Sequence, residues 1–591
     1  MKHSSFHRLL GFSTLLMLLL PLTIMAQEEE TTSAKNHNLE VGKNLDIFNA
    51  LYRNLDLFYV DTLNPGQTIN SAIHGMIRSL DPYTEYYPEN ETKNLQQMIT
   101  GKYAGIGSII KYHSGRKRVV IDEPYADMPA AEAGLKKGDI IISIDDSLMT
   151  DKNTQYVSSH LRGDAGTSFV LKVLRPAPGQ SAKEKKVKGK ELKFKITRRN
   201  IKLPELPYYG ILNSDTMKVG NGNHTKIGYI TLTQFTEGCS RSVRNALIEL
   251  KQQGAEALVF DLRGNGGGSE MEAVDIVSLW VPKEQKVVEN RGKVSQANRT
   301  YKTRLEPVDT LMPMVVLVNG ETASASEITA GALQDLDRAI IIGTRTYGKG
   351  LVQVPLEMPY NSNLKVTTSK YYIPSGRCIQ AINYKRDGQG GYKERIADSL
   401  THVFYTRAGR EVRDGGGIKP DVEVKADSLA NIVYYLSMGG LDSTEVMFDY
   451  VVDYIARHPS LGDDPTAFHL TDDDYAEFRQ RVMDSGFNYD PVSRKQFDEL
   501  VKTAKFEGYY DDAKDAFDAL SEKLKHDVAK ELEKHRETIT QMIEMDIVSA
   551  YFYQAGSLRA GLKHDKQLKE AIRLLNSPEE YHKLLEPTKK N

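Results

Sequence analysis

The spacing of hydrophobic positions changes from region to region along the chain. From about residue 38 to 99, Leu45, Phe48, Leu51, Tyr52, Leu55 and Phe58 recur at three- and four-residue steps, which predicts helix. A second helical segment, 69–80, is expected to stop at Asp81-Pro82, because the residue before proline avoids helical geometry. From 101 to about 201 the pattern turns to short apolar runs at 106–110, 119–121, 140–144, 169–174 and 192–196. These read as strands, interrupted by one helix near 153–161. Between about 203 and 424, strands at 227–232, 257–262, 314–318 and 339–342 alternate with helices at 241–252, 271–279 and 325–336. Such alternation marks an α/β core. Beyond 424 the chain is helical and charged, with an apolar stripe at 448–455, an N-cap at Thr471 and a long helix expected within 517–547. The heptad-like series Leu520, Leu524, Val528 and Leu532 suits intrachain packing as well as a partner helix.

The first 26 residues have another purpose. Lys2, His3, His7 and Arg8 precede an apolar run at 9–20 and the small Ala26, the layout of a cleaved secretory signal that leaves Gln27 first. No later stretch reaches ~18 apolar residues, so the mature chain is expected to be exported without an integral membrane span. A lipoprotein would need cysteine at 27. The 591 residues carry a formal charge of -2, which excludes nucleic-acid or membrane-surface binding driven by bulk charge. Cys239 and Cys378 cannot build a disulfide framework, and neither has a Cys or His neighbour at metal-ligand spacing. Two separate packed thiols and no metal site are expected. The basic loop Lys183, Lys185, Lys186, Lys188 and Lys190 reads as a solvated hairpin.

The candidate chemistry centres on Ser324, in the run 322–327 (TASASE), and on Lys349, which follows 25 residues later between two glycines. Gln353 lies four places further on. A serine hydroxyl needs a base before it attacks a carbonyl, yet residues 225–401 contain no histidine. A lysine can serve if its pKa falls from ~10.4 to near 7 or 8, a differential solvation of roughly 3 to 4 kcal/mol. Ser324 is expected at a strand-to-helix junction, where amides and the helix dipole favour developing negative charge. The run 263–268 (RGNGGG) can bind phosphate, make a flexible turn or present N–H groups to an oxyanion. Its spacing does not fit the dinucleotide fingerprint. Residues 343–349 satisfy the first seven places of a nucleotide-binding P-loop, but Gly350 stands where that loop needs Ser or Thr, and 351–355 reads as strand.

The runs 322–333 (TASASEITAGAL), 346–353 (TYGKGLVQ), 371–379 (YYIPSGRCI) and 416–422 (GGIKPDV) resemble the carboxyl-terminal processing peptidases, or tail-specific proteases. The motifs 103–107 (YAGIG) and 134–139 (GLKKGD) resemble a PDZ domain in the circularly shifted order of bacterial proteases, and Leu80-Asp81-Pro82-Tyr83 matches the same family. The resemblance spans about 40 to 424. With the signal at 1–26 and the charged helical region 425–591 read as a C-terminal α-helical domain, it implies a multidomain α/β protein: N-terminal helical cap 38–100, inserted PDZ-like β-rich domain 101–201 and crotonase-like protease core 202–424.

Carried over by position, it makes Ser324 the nucleophile, Lys349 the general base and Gln353 the residue orienting that lysine. The separation from Lys349 selects Ser324 over Ser326. The oxyanion donors become the Ala325 amide and a glycine amide, Gly267 preferred to Gly266, with no metal or cofactor required. Thr322 stands where many relatives have serine. In the PDZ-like domain, strand addition would place a peptide's terminal carboxylate at Gly105, Ile106 and Gly107 and its last side chain against Ile109, Val157 and Leu161. Arg162 either bridges to the catalytic side or is a surface arginine. The implied protein is a periplasmic serine endopeptidase of a Gram-negative bacterium, acting on proteins or peptides with exposed C-termini. A catalytically idle PDZ-type scaffold is the alternative, and the C-terminal helices are expected to serve a homodimer, an adaptor or the stability of the core.

Overall fold

The structure, a computed structural model, describes residues 36–92, 95, 102–179, 187–202, 204–212, 226–383, 394–426, 429–438, 445–489, 492–524 and 527–587. The signal segment 1–26 and the loop lysines Lys183, Lys185 and Lys186 lie outside them. Two compact units divide the chain after Tyr86. In the first, a helix at 36–58 precedes the helix Pro65–Arg78. Asn64 starts the latter by accepting from the Gln67 N–H, and Pro65 takes a first-turn place where its missing N–H costs nothing. After it, the Asp81 carboxylate accepts from the Tyr83 and Thr84 amides, so the turn at Asp81-Pro82 is pinned by its own side chain.

The second unit begins with a β-rich domain. Its main sheet runs in the order Ser108–His113, Arg118–Pro124, Ile140–Ile144, Ser168–Pro176 and Gly189–Thr197, all antiparallel. Lys102–Gly105 and Arg199–Lys202 form a separate antiparallel pair that closes the domain. The helix Thr154–Leu161 is capped by Asn153 and buries Val157 and Leu161 against Ile121, Phe169 and Leu171. Ser108–His113 ends the described sheet and lies beside that helix.

A six-stranded sheet forms the α/β core, in the order Tyr208–Ile211, Ile227–Thr231, Ala257–Asp261, Met314–Val318, Ile340–Gly343 and Val422–Glu423. Only the first pair is antiparallel. Every residue of the four central strands is buried, because parallel strands are covered on both faces, and so they read as continuous apolar runs. Cys239–Gln252, Glu270–Ser278 and Ala325–Asp335 cover one face. Helices from the far end of the chain, Lys566–Leu575 and Pro578–Leu584, cover the other with Leu568, Ala571, Leu574 and Tyr581. The Tyr581 hydroxyl meets both the N–H and the carbonyl of Met314. A second antiparallel sheet includes Lys286–Gly292, Arg299–Lys302, Leu351–Met358 and Ser362–Tyr372.

Between core and C-terminus, a helical domain packs on the β-rich domain. Phe448 and Val452, on the helix Val446–Arg457, bury Val120 and Ile140, and Lys137 pairs with Asp122 and Asp546. The heptad-like series does not lie on one helix. Lys514–Lys523 ends before Asp527, whose side chain starts Val528–Lys534 by accepting from the Lys530 N–H. Leu520 is therefore exposed while Leu532 is buried in the domain's own core. No described helix is long and apolar enough to cross a membrane.

Candidate active site

Ser324 sits where the chain leaves Met314–Val318 and enters Ala325–Asp335, with φ 56° and ψ -119°. A non-glycine residue seldom adopts that conformation, and the surrounding bonds must hold it there. Ser324 is partly exposed, whereas Ser326 is fully buried and donates its hydroxyl to the Asn265 carbonyl at 2.9 Å. Ser326 is thus occupied in packing. The Thr322 hydroxyl donates to the Leu262 carbonyl at 2.9 Å, tying the approach to Ser324 to the end of the neighbouring strand.

Glu327, one helical turn after Ser324, organises the site. Its side chain is completely buried, and every bond made to it is a donor's. One carboxylate oxygen accepts from the Ser324 amide at 2.9 Å and from the Lys349 amide at 2.9 Å; the other accepts from the Thr346 hydroxyl at 2.5 Å and the Gly348 amide at 2.7 Å. The Ile418 N–H donates to the Thr346 oxygen, which directs the Thr346 proton to Glu327. Burial pushes the Glu327 pKa above the usual carboxylate value, and the four donors pull it back only in part. Tyr371 completes the clamp from the carbonyl side: its hydroxyl lies 3.2 Å from the Ser324 carbonyl and 2.7 Å from that of Lys349. The peptide units of the two candidate catalytic residues are therefore bound to the same carboxylate and the same phenol.

Glycines flank Lys349 because another segment passes close by. A Cβ on Gly348, where φ is +86°, would lie 2.2 Å from the Ala381 Cβ, and one on Gly350 would lie 2.8 Å from the Gln380 amide nitrogen. Lys349 itself is half-buried. The strand Leu351–Met358 follows at once, so the helix that a P-loop requires is replaced by a strand. Gln353 lies on that strand just after a register shift and donates its side-chain N–H to the Thr367 hydroxyl at 3.1 Å.

The glycine run reaches Ser324 from the adjacent strand end. A Cβ on Gly267, where φ is +99°, would lie 2.8 Å from the Ser324 Cβ and 2.7 Å from the Ala323 carbonyl. Only glycine allows this approach. The Gly267 amide, expected as an oxyanion donor, instead donates to the Asn265 side-chain oxygen at 2.9 Å. In this conformation the Gly267 amide is therefore engaged by Asn265. The buried Asn265 also donates to the Leu232 carbonyl, and its own carbonyl accepts from the Ala323 amide.

The expected peptide-binding residues all belong to the β-rich domain. Gly105 ends its strand, Ile106 is buried, and Gly107, at φ +68°, is packed so closely that a Cβ would lie 2.5 Å from Met128. Of the expected groove residues, Ile109 is 41% exposed, but Val157 and Leu161 are 0% and 4% exposed and belong to the domain core. The i, i+4 spacing turns both toward their own sheet. Arg162 places its guanidinium 5.0 Å from the Tyr103 ring centre, within the same domain.

Among the described residues, no group of His, Cys, Asp or Glu could hold a metal ion. Cys239 and Cys378 are not disulfide-bonded, and burial raises both thiol pKa values, so neither is poised as a nucleophile.

Residues 226–388 match the model of peptidase family S41, 120–175 that of the PDZ domain, and 438–575 that of the probable PDZ-protease C-terminal helical domain. The carboxy-terminal-processing protease of Bartonella bacilliformis is 32% identical over 370 residues, covering 62% of this chain and 78% of the relative. That of Synechocystis is 33% identical over 318 residues, covering 54% and 70%. The photosystem II D1 C-terminal processing protease has a solved structure that is 27% identical, with a TM-score of 0.35, covering 64% of this chain and 92% of that one.

Proposed function

Because the chain belongs to peptidase family S41, the carboxy-terminal-processing serine proteases, we propose that it is an exported endopeptidase that cuts proteins after engaging their C-terminal tails, with Ser324 as nucleophile and Lys349 as base. The observation that carries this reading is the double clamp: Glu327 binds both amides, and Tyr371 meets both carbonyls, of these two residues.

Neutral Lys349 takes the Ser324 proton as the oxygen attacks a peptide carbonyl. The resulting ammonium protonates the leaving nitrogen, and water then hydrolyses the acyl-enzyme. Gln353, whose N–H is held by Thr367, offers its carbonyl oxygen to the ammonium. The Ala325 amide, at the first turn of its helix, supplies one oxyanion donor. The glycine run supplies the second, Gly266 or a Gly267 released by Asn265. Tail recognition falls to the PDZ domain, where Ser108–His113 ends the described sheet and can accept a peptide strand near Gly105 and Gly107. The N-terminal pattern sends the protein to the periplasm.

A fluorophosphonate should label the wild type and spare Ser324→Ala. Equal labelling of both would overturn the assignment and favour an idle peptide-binding scaffold. The turnover rate should also rise with pH as Lys349 loses its proton, since only the neutral amine is a base. A rate independent of pH from about 5 to 9 would point to another base.

A further inference from the structure

The glycine run beside Ser324 has almost no side chains with which to hold itself, so its position must come from its flanks. One flank is the Phe235 backbone, which bonds the Gly267 carbonyl at 3.0 Å and the Ser269 amide at 2.8 Å. The other is Arg263, the residue that opens the run. Its amide donates to the Asp261 carboxylate at 2.9 Å, and its guanidinium makes bonds of 2.9, 3.1 and 2.5 Å to the same group. The Tyr229 hydroxyl holds Asp261 from the opposite side.

Two further partners of Arg263 lie 302 and 304 residues further along the sequence. Asp565 accepts from Nη2 at 2.5 Å, and Gln567 accepts from Nη1 at 2.9 Å. Both sit at the start of Lys566–Leu575, the helix that covers the back of the core sheet. Asp565 uses its two oxygens separately. Oδ1 caps that helix by accepting from the Leu568 N–H at 3.0 Å, while Oδ2 takes Arg263. Gln567, 3% exposed, donates its own N–H to the Val424 carbonyl and so presents its oxygen to the arginine.

We infer that Asp565 and Gln567 are positioning residues for catalysis, through which the C-terminal helical segment holds Arg263 and, with it, the glycine run against Ser324. This rests on the catalytic reading above. A guanidinium is planar, and acceptors on three of its nitrogens fix its plane and the turn it belongs to. Gly264 follows immediately, its N–H bonded to the Asn319 side chain at 3.0 Å, and Asn265 then sets Gly267. Displacement of this turn by about 1 Å at the reacting centre is enough to cost on the order of a hundredfold in rate.

Asp565→Asn separates the two roles of the residue. Asparagine caps a helix as well as aspartate does, so the helix stays capped, but the negative charge facing the Arg263 guanidinium is lost. The expected result is a kcat lowered about tenfold or more with KM within about twofold of wild type, an equal slowing of fluorophosphonate labelling at Ser324 and an unchanged Tm. Asp565→Ser, which also keeps a capping group, repeats the test should the asparagine variant fold poorly. Wild-type kcat and labelling rate in a folded variant overturn the inference, as does a loss of activity that appears only with a lowered Tm and a raised KM. Ser324→Ala is assayed alongside. Turnover that persists in it sinks the catalytic reading, whereas Ser324-dependent turnover unaffected at position 565 sinks the brace alone.

Discussion

Ser324→Ala and Lys349→Ala are each expected to reduce cleavage of an unfolded protein to background while leaving the substrate's binding measurable. The alanine at 324 has no oxygen to form the acyl-enzyme. The alanine at 349 leaves the hydroxyl without a proton acceptor, and no histidine lies in the surrounding sequence to replace it. The two act as one device, so the double variant should lose no more than either single variant. The loss should be on the order of a thousandfold or more, with the remainder supplied by oxyanion donors and binding. Lys349→Arg should be equally inactive, because a guanidinium stays protonated and cannot serve as a base. Binding of a tail peptide, followed by fluorescence anisotropy, should be little changed, since the PDZ domain is a separate sheet from the one that carries Ser324. Turnover retained in purified Ser324→Ala or Lys349→Ala would place the chemistry elsewhere.

The parallel strands of the core are legible in the sequence because burial on both faces leaves them almost no polar position, Thr231 and Asp261 standing only at strand ends. Ser324 is legible for the same reason, since it follows such a strand and precedes a helix. What those runs do not disclose is the partner of each surface. Leu568, Ala571, Ile572 and Leu575 have helical spacing, but nothing in it says that they cover a sheet formed hundreds of residues earlier. Local chemistry hides function in the same way. Ser324-x-x-Glu327 reads as an ordinary capping box, and the reach of its carboxylate to Lys349 appears only when residues 346–349 fold over the helix. Tyr371 lies in a family-like motif, yet its role depends on a hydroxyl meeting two carbonyls. The family resemblance points to Gly267 as a donor near the nucleophile, while the partner of its N–H depends on the rotamer of Asn265. Val157 and Leu161 have the apolar character a groove would use, but the same character drives them into the core.

Glu327→Gln should lower kcat by about ten- to a hundredfold at neutral pH without a matching loss of stability. All four bonds to Glu327 come from donors, so the ionised carboxylate is the form that satisfies them. Glutamine has one acceptor atom and turns an N–H₂ toward two of those donors. A buried donor left without a partner costs about 1 to 3 kcal/mol, enough to open one side of the clamp. Burial raises the folded-state pKa of Glu327. The folded chain therefore takes up this proton more readily than the unfolded chain, and the resulting stability is present in acid and lost as pH rises through the folded pKa. At neutral pH the buried charge opposes folding, and its removal in Glu327→Gln offsets the lost bonds, so Tm should change little. Glu327→Ala removes the same charge but leaves three amides and a hydroxyl without any acceptor, so both kcat and Tm should fall, kcat by about a hundredfold or more, the order expected when a catalytic geometry is lost. Protonating the wild-type residue should imitate the glutamine. Activity should fall as pH drops through the raised Glu327 pKa, in addition to the loss caused by protonating Lys349, and the acid limb of Glu327→Gln should be less steep than that of the wild type. A glutamine variant with wild-type kcat and an unaltered acid limb would show that the backbones of Ser324 and Lys349 hold their places without the carboxylate.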